Sequence, residues 1–135
     1  MKCLDTNAII AALNNRPAAG RERLAKELGG GEEIGVPMVA WFEMIHGYEK
    51  SSRREWNKAA LAAFLTLDVE PLPFELADAE HAGEIRFQFE HAGTPIGAYD
   101  LLVAAQARRR GATLVTVNGR EFARVPDLTC EDWAA

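Results

Sequence analysis

Short apolar runs of strand length alternate along this chain with longer segments of helical periodicity. The strand-like runs occupy residues 2–4, 34–36, 69–72, 112–117 and 128–130. Because strands separated by helices usually lie side by side and point the same way, the alternation predicts a parallel sheet with helices on both faces. The 135 residues, 48% of them hydrophobic, suffice for one core, so we expect a single domain over residues 1–135.

Helix signals fill the intervals between these runs. Predicted helices cover residues 8–13, 21–28, 38–51, 52–67, 74–91 and 98–110, and a short helical turn falls within 118–125. The first helix is predicted to stop near Asn14, Asn15 and Pro17. Pro37 suits a helix N-terminus, and Gly111 suits a helix end.

The chain is acidic overall, with 20 acidic residues against 15 Lys and Arg and a net charge of −5. This balance counts against a broad nucleic-acid surface, because phosphate contacts reward basic residues. It is compatible with local positive patches, and a helix face that carries many acids, as in residues 74–91, is predicted to be solvated. The basic residues cluster at Lys50, Arg53, Arg54 and Lys58, at residues 108–110, and at Arg120 with Arg124.

The sequence favours a cytoplasmic protein without membrane association. No apolar run approaches the roughly 20 residues of a membrane-spanning helix. Asp5 and Asn7 interrupt the N-terminal apolar run before a signal peptide could form. In a reducing cytoplasm, Cys3 and Cys130 are expected to be free thiols rather than a disulfide.

The stretch LDTNAI places Asp5 at the end of the first predicted strand. Ligands of α/β folds bind beyond the carboxyl ends of the strands, so Asp5 lies where a site is expected. Taken alone, Asp5, Thr6 or Asn7 could equally cap the helix that follows, because such side chains accept hydrogen bonds from helix N–H groups. Given the other acids described next, we interpret Asp5 as a metal ligand and assign the capping to Thr6 and Asn7.

Two further carboxylates occupy unusual helix positions. Glu43 interrupts the apolar run VPMVAWFEMI, and an ionised Glu in such a stretch must be paired, hydrated or bound to a cation. Its helical neighbours Ala40 and Gly47 leave space around the carboxylate. Asp100 stands in the first turn of its helix with Ala104 on the same face. The alternatives are a half-exposed helix position for Glu43 and a helix cap for Asp100.

Asn118 directly follows the predicted strand 112–117 and therefore shares the rim of the sheet with Asp5. A turn-forming asparagine is the alternative, and a functional role needs Asn118 or Glu121 only as an auxiliary oxygen ligand. Carboxylates held together raise one another's pKa unless a cation compensates their charge. Oxygen ligands without clustered thiolates or histidines favour Mg²⁺ or Mn²⁺ over zinc.

Three segments resemble, in order, the motifs of the PIN-domain family and of its VapC-type toxin endoribonucleases. They are LDTNAI, VPMVAWFEMIHGYEKS and TPIGAYDLLVAAQARRRGATLVTVNGREFARVPDLTCEDW. The resemblance implies a PIN-like three-layer α/β/α sandwich with a central, mainly parallel sheet of four to five short strands. The positions that match the family's catalytic and metal-binding residues are Asp5, Glu43, Asp100 and Asn118, with Thr6 and Glu121 as auxiliary residues.

The resemblance also implies an activity and partners. Such a protein cleaves RNA phosphodiester bonds, in transfer RNA by family expectation, with Mg²⁺ or Mn²⁺ to lower the pKa of a water and position it. It is implied to be a toxin, to form a homodimer, and to assemble with a small cognate antitoxin into a heterotetramer or larger complex. Substrate or antitoxin contacts are expected at Arg53, Arg54, Arg120, Trp41 and Tyr48, with core packing as the alternative for the aromatic side chains.

Two other function classes remain open at the level of sequence. A phospho-acceptor signalling domain is also a parallel α/β fold with an acidic Mg²⁺ pocket, but it needs paired acids after the first strand and a lysine near the last. Here Asp5 stands alone and the last lysine is Lys58. A catalytically silent binding module would keep the acids without turnover, so only a cleavage assay separates it from a nuclease.

Overall fold

The computed structural model describes residues 1–14 and 18–133 of the chain. Within these residues it contains five strands and seven helices. The strands are β1 (Lys2–Leu4), β2 (Ile34–Pro37), β3 (Val69–Leu72), β4 (Thr113–Val115) and β5 (Thr129–Glu131). The helices are α1 (Thr6–Asn14), α2 (Ala18–Gly29), α3 (Met38–Glu49), α4 (Arg54–Phe64), α5 (Leu76–His91), α6 (Ala98–Arg109) and α7 (Gly119–Phe122).

The strands form one sheet in the order β3-β2-β1-β4-β5. Every neighbouring pair is parallel, which confirms the predicted α/β class with a central parallel sheet of short strands. The chain lays down β1, β2 and β3 in one direction and then crosses back to place β4 on the free side of β1. The carboxyl ends of β1 and β4 therefore flank the topological switch point, where α/β folds bind ligands.

Two boundaries differ from the prediction for identifiable reasons. The strand expected over residues 112–117 ends at Val115, because the Thr116 hydroxyl accepts a hydrogen bond from the Asn118 N–H at 2.9 Å and closes a turn. The two helices predicted over 38–51 and 52–67 are shorter, Met38–Glu49 and Arg54–Phe64, and the Ser51 hydroxyl between them accepts hydrogen bonds from the Arg53 N–H at 3.0 Å and the Asn57 side-chain amide at 2.8 Å. Of the predicted stop near Asn14, Asn15 and Pro17, α1 ends at Asn14, and the other two residues lie outside the described part of the chain.

Two glycines are required by the backbone. A Cβ at Gly35 would come within 2.6 Å of a Leu72 methyl carbon, so any larger residue there would displace the Leu72 side chain from its packed position. Gly111 has a φ of 63°, which ends α6 in the left-handed conformation, as predicted. These positions fix the packing of Leu72 and the exit of α6.

Helix α6 is the most enclosed element that carries a candidate residue. Its buried residues are Leu101, Val103, Ala104, Ala105, Gln106, Ala107 and Arg108. The fully buried Gln106 amide donates to the Leu72 carbonyl at 2.8 Å, and its side-chain oxygen accepts from the Val39 N–H at 3.4 Å. The helix that carries Asp100 is thereby tied to β3 and to the start of α3, the helix that carries Glu43.

The prediction of a fully solvated acidic face on α5 is wrong for Asp78. This side chain is completely buried and accepts from the Arg109 Nε at 3.0 Å and the Arg110 Nη1 at 2.9 Å, both on or next to α6. Its second oxygen accepts from the Glu75 N–H at 2.8 Å. Burial alone would raise the Asp78 pKa, but these hydrogen bonds and the two positive charges hold that pKa below its ordinary value.

Ion pairs also neutralise one of the basic clusters noted in the sequence, the arginines at 108–110. Arg109 and Arg110 are engaged by Asp78, and the buried Arg108 forms an ion pair with Glu84 at 3.2 Å. The arginines at 108–110 therefore stabilise the contact between α5 and α6 and do not form a free positive surface. None of the described helices is long and apolar enough to cross a membrane.

We predict that Asp78→Ala lowers the free energy of unfolding by about 3 kcal/mol, because it leaves two arginines without their buried partner. The depressed Asp78 pKa adds a pH dependence: its contribution is complete above the ordinary carboxyl pKa and is lost as the pH falls through the folded-state value. Urea unfolding at several pH values measures both effects. Glu80→Ala, an exposed acid on the same helix, is the matched control, and equal losses in the two variants would contradict the assignment.

Candidate active site

Asp5 is held at the switch point by groups from both sides of it. Its N–H donates to the Val115 carbonyl of β4 at 3.1 Å, and its carboxylate is hydrogen-bonded to the Thr116 side chain. Thr116 in turn accepts from the Asn118 N–H. Only 5% of Asp5 is exposed, so the carboxylate sits in a fixed, largely desolvated position between β1 and β4.

Asp5 also caps α1, which corrects the sequence-based division of roles. The Ala8 N–H donates to the Asp5 Oδ1 at 2.8 Å, which satisfies a free donor in the first turn of the helix. Asn7 is exposed, and the Thr6 hydroxyl donates to Glu43 instead. The prediction that Thr6 and Asn7 do the capping is therefore wrong, and α1 begins at Thr6 because Asp5 precedes it.

Glu43 reaches the same region from α3. Its Oε1 accepts a hydrogen bond from the Thr6 hydroxyl at 2.9 Å, across 37 positions of sequence. The side chain is half-buried, and its two small neighbours in sequence differ in exposure, since Ala40 is buried and Gly47 lies on the edge of a cleft. Thr6 therefore places the Glu43 carboxylate beside the residue that follows Asp5.

Asp100 projects from the first turn of α6. Gly97 occupies the cap position of this helix and no side-chain capping hydrogen bond is present, so the structure does not support a capping role for Asp100. Burial raises the pKa of Asp100, and the charge of Glu121 raises it further. Asp100 is thus a partly buried carboxylate with an acid for a neighbour.

The pKa of Asp5 is also shifted by burial and by neighbouring acids. Burial is the largest influence and raises the Asp5 pKa, while hydrogen bonds from Thr116 and Ala8 oppose that rise. The charges of Asp100 and Glu43 raise it further, so both carboxylates contribute to the electrostatic environment of Asp5. The fold has brought the three predicted acids into one negatively charged region.

Asn118 and Glu121 lie on the other flank of this region. Asn118 is exposed and precedes α7 without a side-chain capping bond, so its amide is free to turn towards a ligand. Glu121 is half-buried, and its Oε1 accepts from the Arg124 Nη1 at 2.9 Å. The structure therefore places both auxiliary residues at the predicted rim, with Glu121 already held by an arginine.

The donor chemistry fits a hard divalent cation, since all candidate ligands are oxygen atoms and the carboxylates carry uncompensated charge that raises the Asp5 pKa. In residues 1–14 and 18–133, no three acidic, His or Cys side chains are yet gathered around one point at ligand distance. Thr6 holds Glu43 and Arg124 holds Glu121. The arrangement is an acidic region with its carboxylates on protein partners rather than a closed ligand shell.

The predicted contact residues divide into exposed cations and packed aromatic side chains. The Arg53 guanidinium lies 4.2 Å from the ring centre of the exposed Trp56, whereas Arg54 is paired with Glu49 at 2.8 Å and lies over Tyr48. Arg120 is exposed on α7. Trp41 packs partly buried against the core, and Tyr48 both packs there and lines a cleft with Thr6, Glu43 and Asn57.

Two residues that position the acids had no predicted functional role. Thr116 orients Asp5, and its signal was a hydroxyl in an apolar strand next to a rim asparagine. Gln106 links α6 to α3, and its signal was a lone amide within the apolar run LLVAAQA. A buried polar side chain needs hydrogen-bond partners, so a long-range hydrogen bond could be expected at each position. The residue that supplies it could not be predicted.

Comparison with known proteins adds the family. Residues 2–128 match the profile of the family described as "PIN domain". A protein of Shigella flexneri named "tRNA(fMet)-specific endonuclease VapC" is 39% identical over 131 residues, which cover 97% of this chain and 96% of the relative. A "Ribonuclease VapC2" of Rickettsia felis is 35% identical over 130 residues, 96% of each protein.

Solved structures agree with this similarity. The fold matches VapBC2 from Rickettsia felis, solved bound to a DNA fragment from their promoter, with a TM-score of 0.90 and 33% identity over 98% of both chains. It matches DNA-bound VapBC from Salmonella typhimurium with a TM-score of 0.89 and 36% identity, covering 98% of this chain and 97% of the other. The resemblance therefore extends over nearly the whole chain in sequence and in fold.

We predict that Asp5→Asn makes the cation-free chain as stable as the original or more stable, by a few degrees in Tm, at neutral pH. A carboxyl group whose pKa is raised by folding stabilises the fold below its ordinary pKa and loses that contribution as the pH rises. Asn removes this cost, its amide oxygen can still accept from the Ala8 N–H, and its amide N–H can donate to the Thr116 hydroxyl. Thermal unfolding in the presence of EDTA measures the effect.

Added Mg²⁺ or Mn²⁺ should then separate the two proteins. A cation that binds only the folded state at about 100 times its Kd stabilises by ~2.7 kcal/mol, so the original chain gains Tm and Asp5→Asn does not. Asp68→Asn, an exposed acid before β3 at the other end of the sheet, is the matched control and should keep the gain. A variant at Asp5 that loses stability without cation but keeps the cation-induced gain would contradict the assignment.

Proposed function

Because this chain belongs to the PIN-domain family, and within it to the VapC-type ribonucleases, we propose that it cleaves RNA as the toxin of a type II toxin–antitoxin pair. The observation that carries the proposal is the buried Asp5 carboxylate at the switch point, on which the charges of Glu43 and Asp100 act. A buried carboxylate with further acids acting on it destabilises the fold, and such arrangements are typical of functional sites. The chain would act as one PIN domain over residues 1–135.

The proposed reaction is the hydrolysis of RNA phosphodiester bonds with Mg²⁺, or alternatively Mn²⁺, as cofactor. Asp5, Glu43 and Asp100 would hold the cofactor, with Asn118 as a fourth oxygen donor on the same rim. When bound, a divalent cation supplies Lewis acidity that lowers the pKa of an attacking water and stabilises the leaving oxygen. The all-oxygen donor set supports these ions over zinc.

The residues of the chain contribute placement and charge. Asp5 is fixed by the Ala8 N–H and Thr116, so it presents its carboxylate without a further loss of side-chain entropy. Thr6 orients Glu43 by its hydrogen bond at 2.9 Å. Gln106 sets the spacing between the helices that carry Asp100 and Glu43. The proposed reaction is a direct attack by water, in which these side chains place and charge the site without forming a covalent intermediate.

Transfer RNA is the proposed substrate, supported by the name of the Shigella relative. The net charge of −5 gives no general attraction for RNA, so cationic side chains near the acids must hold the flanking phosphates. Arg53 and Arg120 are exposed and suit this role, while Arg54 is largely neutralised by Glu49 and Glu55. Arg53 stacked on Trp56 also offers an aromatic face to an unpaired base.

The proposed protein partner is a small cognate antitoxin, supported by the solved relatives, which are toxin–antitoxin complexes. An apolar groove between α2 and α4 is lined by Leu13, Leu24, Leu28, Phe64 and Leu67. It shares Leu13 and Ala60 with the cleft that reaches Glu43, so one extended segment could follow both. An Arg or Lys of that segment would neutralise the acidic site.

We further propose a homodimer that joins the antitoxin in a heterotetramer or larger complex, in the cytoplasm. Both thiols of the chain, Cys3 and Cys130, are free, as predicted. Burial raises the pKa of Cys3 to about 11, so this thiol is inert under cellular conditions. The phospho-acceptor alternative receives no support from the family match, and the silent-module alternative is decided by turnover.

We predict that Asp100→Asn and Asp5→Asn each lower Mg²⁺-dependent RNA cleavage by at least about 100-fold without loss of fold. Asp68→Asn, an exposed acid outside the site, should cleave at the original rate. The measurement is the rate of cleavage of purified transfer RNA, together with sequencing of the RNA ends that form when the chain is induced in cells. Cleavage that continues in both site variants would refute the proposal, and a fully inactive original chain that still binds antitoxin would favour the silent module.

A further inference from the structure

A cleft between α1, α3 and α4 connects the acidic region with the corner where α3 is followed by α4. Its volume is about 240 Å³. Glu43 and Thr6, joined by their hydrogen bond at 2.9 Å, line it on the side of the acidic region. Tyr48 and Asn57 line it at the corner, where the Asn57 side-chain amide donates to the Ser51 hydroxyl at 2.8 Å. A ligand in this cleft would therefore lie directly beside a carboxylate that is proposed to hold the cation.

The cleft combines an apolar lining with a few polar groups, which is the usual composition of a small-ligand pocket. Its apolar residues are Ile10, Leu13, Met44, Ala60 and Leu61. Such a lining suits a flat aromatic ring, because the faces of the ring gain dispersion contacts with aliphatic carbon atoms and need no hydrogen bonds. The polar edge of the same ring would need hydrogen-bond partners at the border of the cleft.

Two polar groups at the corner have unused hydrogen-bonding capacity. Among the residues that the structure describes, the Tyr48 hydroxyl has no hydrogen-bond partner, and Asn57 engages Ser51 through its amide nitrogen alone, which leaves its side-chain oxygen without a donor. Both side chains are half-buried, so each gains from a partner inside the cleft. A nucleobase meets this demand, since it is a flat ring with donors and acceptors along its edge.

The charges on the two sides of the cleft favour an RNA chain as the source of that base. The corner carries the exposed cations Lys50, Arg53 and Lys58. Arg53 lies one turn before Asn57, whose N–H donates to the Arg53 carbonyl at 2.9 Å. The acids on the other side would hold a cation, which attracts the scissile phosphate. A nucleotide with its base in the cleft would thus have positive charge available for the phosphates on both sides of it.

We propose that the cleft holds the base of a nucleotide attached to the scissile phosphate, and that Asn57 and Tyr48 determine which base is accepted. This inference rests on the proposed function, because the phosphate at the cation is what places the base. The Asn57 side-chain oxygen accepts a hydrogen bond from the edge of the base, and the Tyr48 hydroxyl bonds a second atom of that edge. An antitoxin segment that follows the cleft would have to displace the base, so the two cannot be bound together.

The first experiment measures base preference at the cut. The purified full-length chain is incubated with Mg²⁺ and a stem-loop RNA whose loop is randomised, because loop bases are unpaired and accessible. Sequencing of the products gives the base frequencies on both sides of the cut. We expect the original chain to prefer particular bases at one of these two positions. Asn57→Ala should reduce that preference by about tenfold, since a hydrogen bond to the base is lost, and Tyr48→Phe should reduce it in the same direction.

Ser51→Ala is the matched control for a purely structural role of Asn57. It removes the hydroxyl that Asn57 contacts at 2.8 Å but changes no residue that lines the cleft. Both variants lose this contact at the corner, so both should lower Tm, whereas only Asn57→Ala should change the base preference. Equal changes of preference in the two variants would overturn the role of Asn57 in base selection. Tyr48→Phe, which loses only a hydroxyl, keeps the test decisive if Asn57→Ala does not fold.

A second experiment locates the base without cleavage. Asp100→Asn, which is expected to cut slowly, is mixed with the same RNA carrying thiouracil in its loop and is irradiated. Mass spectrometry then identifies the cross-linked residues. We expect cross-links at residues that line the cleft, Met44 and Tyr48 among them, and fewer of these in the double variant that adds Asn57→Ala.

The outcomes separate the inference from the proposed function. Cleavage without base preference in the original chain, an unchanged preference in both Asn57→Ala and Tyr48→Phe, or cross-links only outside the cleft would each overturn base selection by the cleft while the nuclease proposal stands. Cross-links in the cleft without cleavage by the original chain would uphold base binding and overturn the nuclease proposal. Absence of both cleavage and cross-links would overturn the two together.

Discussion

The burial of one carboxylate between two parallel strands organises the acidic end of this fold. Asp5 must find partners where water cannot reach it, and it takes them from α1 through the Ala8 N–H and from the end of β4 through Thr116. The Asp5 N–H meanwhile bonds the Val115 carbonyl. The first helix, the last residue of β4 and the turn that follows it are thereby assembled around a single side chain. A site built this way is rigid on the Asp5 side and adjustable at the other acids.

Much of this architecture follows from the sequence because it depends on local pattern. The order of strands and helices is visible in strand-length apolar runs, and the rim positions of Asp5 and Asn118 follow from where those runs end. The capping by Asp5 could not be predicted, because the same carboxylate at the end of a strand suits either a helix cap or a cation ligand. The length of β4 could not be predicted either. The strand-like pattern of the sequence continues past Val115, but the Thr116 hydroxyl closes a turn there and ends the strand.

Long-range pairing explains the remaining difference. Asp78 belongs to an acidic run whose helical spacing suggests a solvated face, yet its partner Arg109 lies 31 residues further along the chain. Nothing within one helix identifies which of several acids will meet arginines from another. The consequence reaches the functional argument, because arginines committed to Asp78 and Glu84 are unavailable to a polyanionic substrate. An acidic chain has few basic side chains, and in this one three arginines are engaged in packing α5 against α6.

Two acids at the rim, Glu43 and Glu121, are hydrogen-bonded by protein partners of different charge. The Thr6 hydroxyl satisfies Glu43 without cancelling its charge, so the repulsion that raises the Asp5 pKa persists and continues to favour a cation. Arg124 differs because it brings a positive charge to the Glu121 carboxylate, with which it forms an ion pair. A hydroxyl partner can be exchanged for a cation at little electrostatic cost, whereas a guanidinium partner competes with the cation directly. The chemical identity of its partner therefore influences how readily each carboxylate can exchange that partner for a cation.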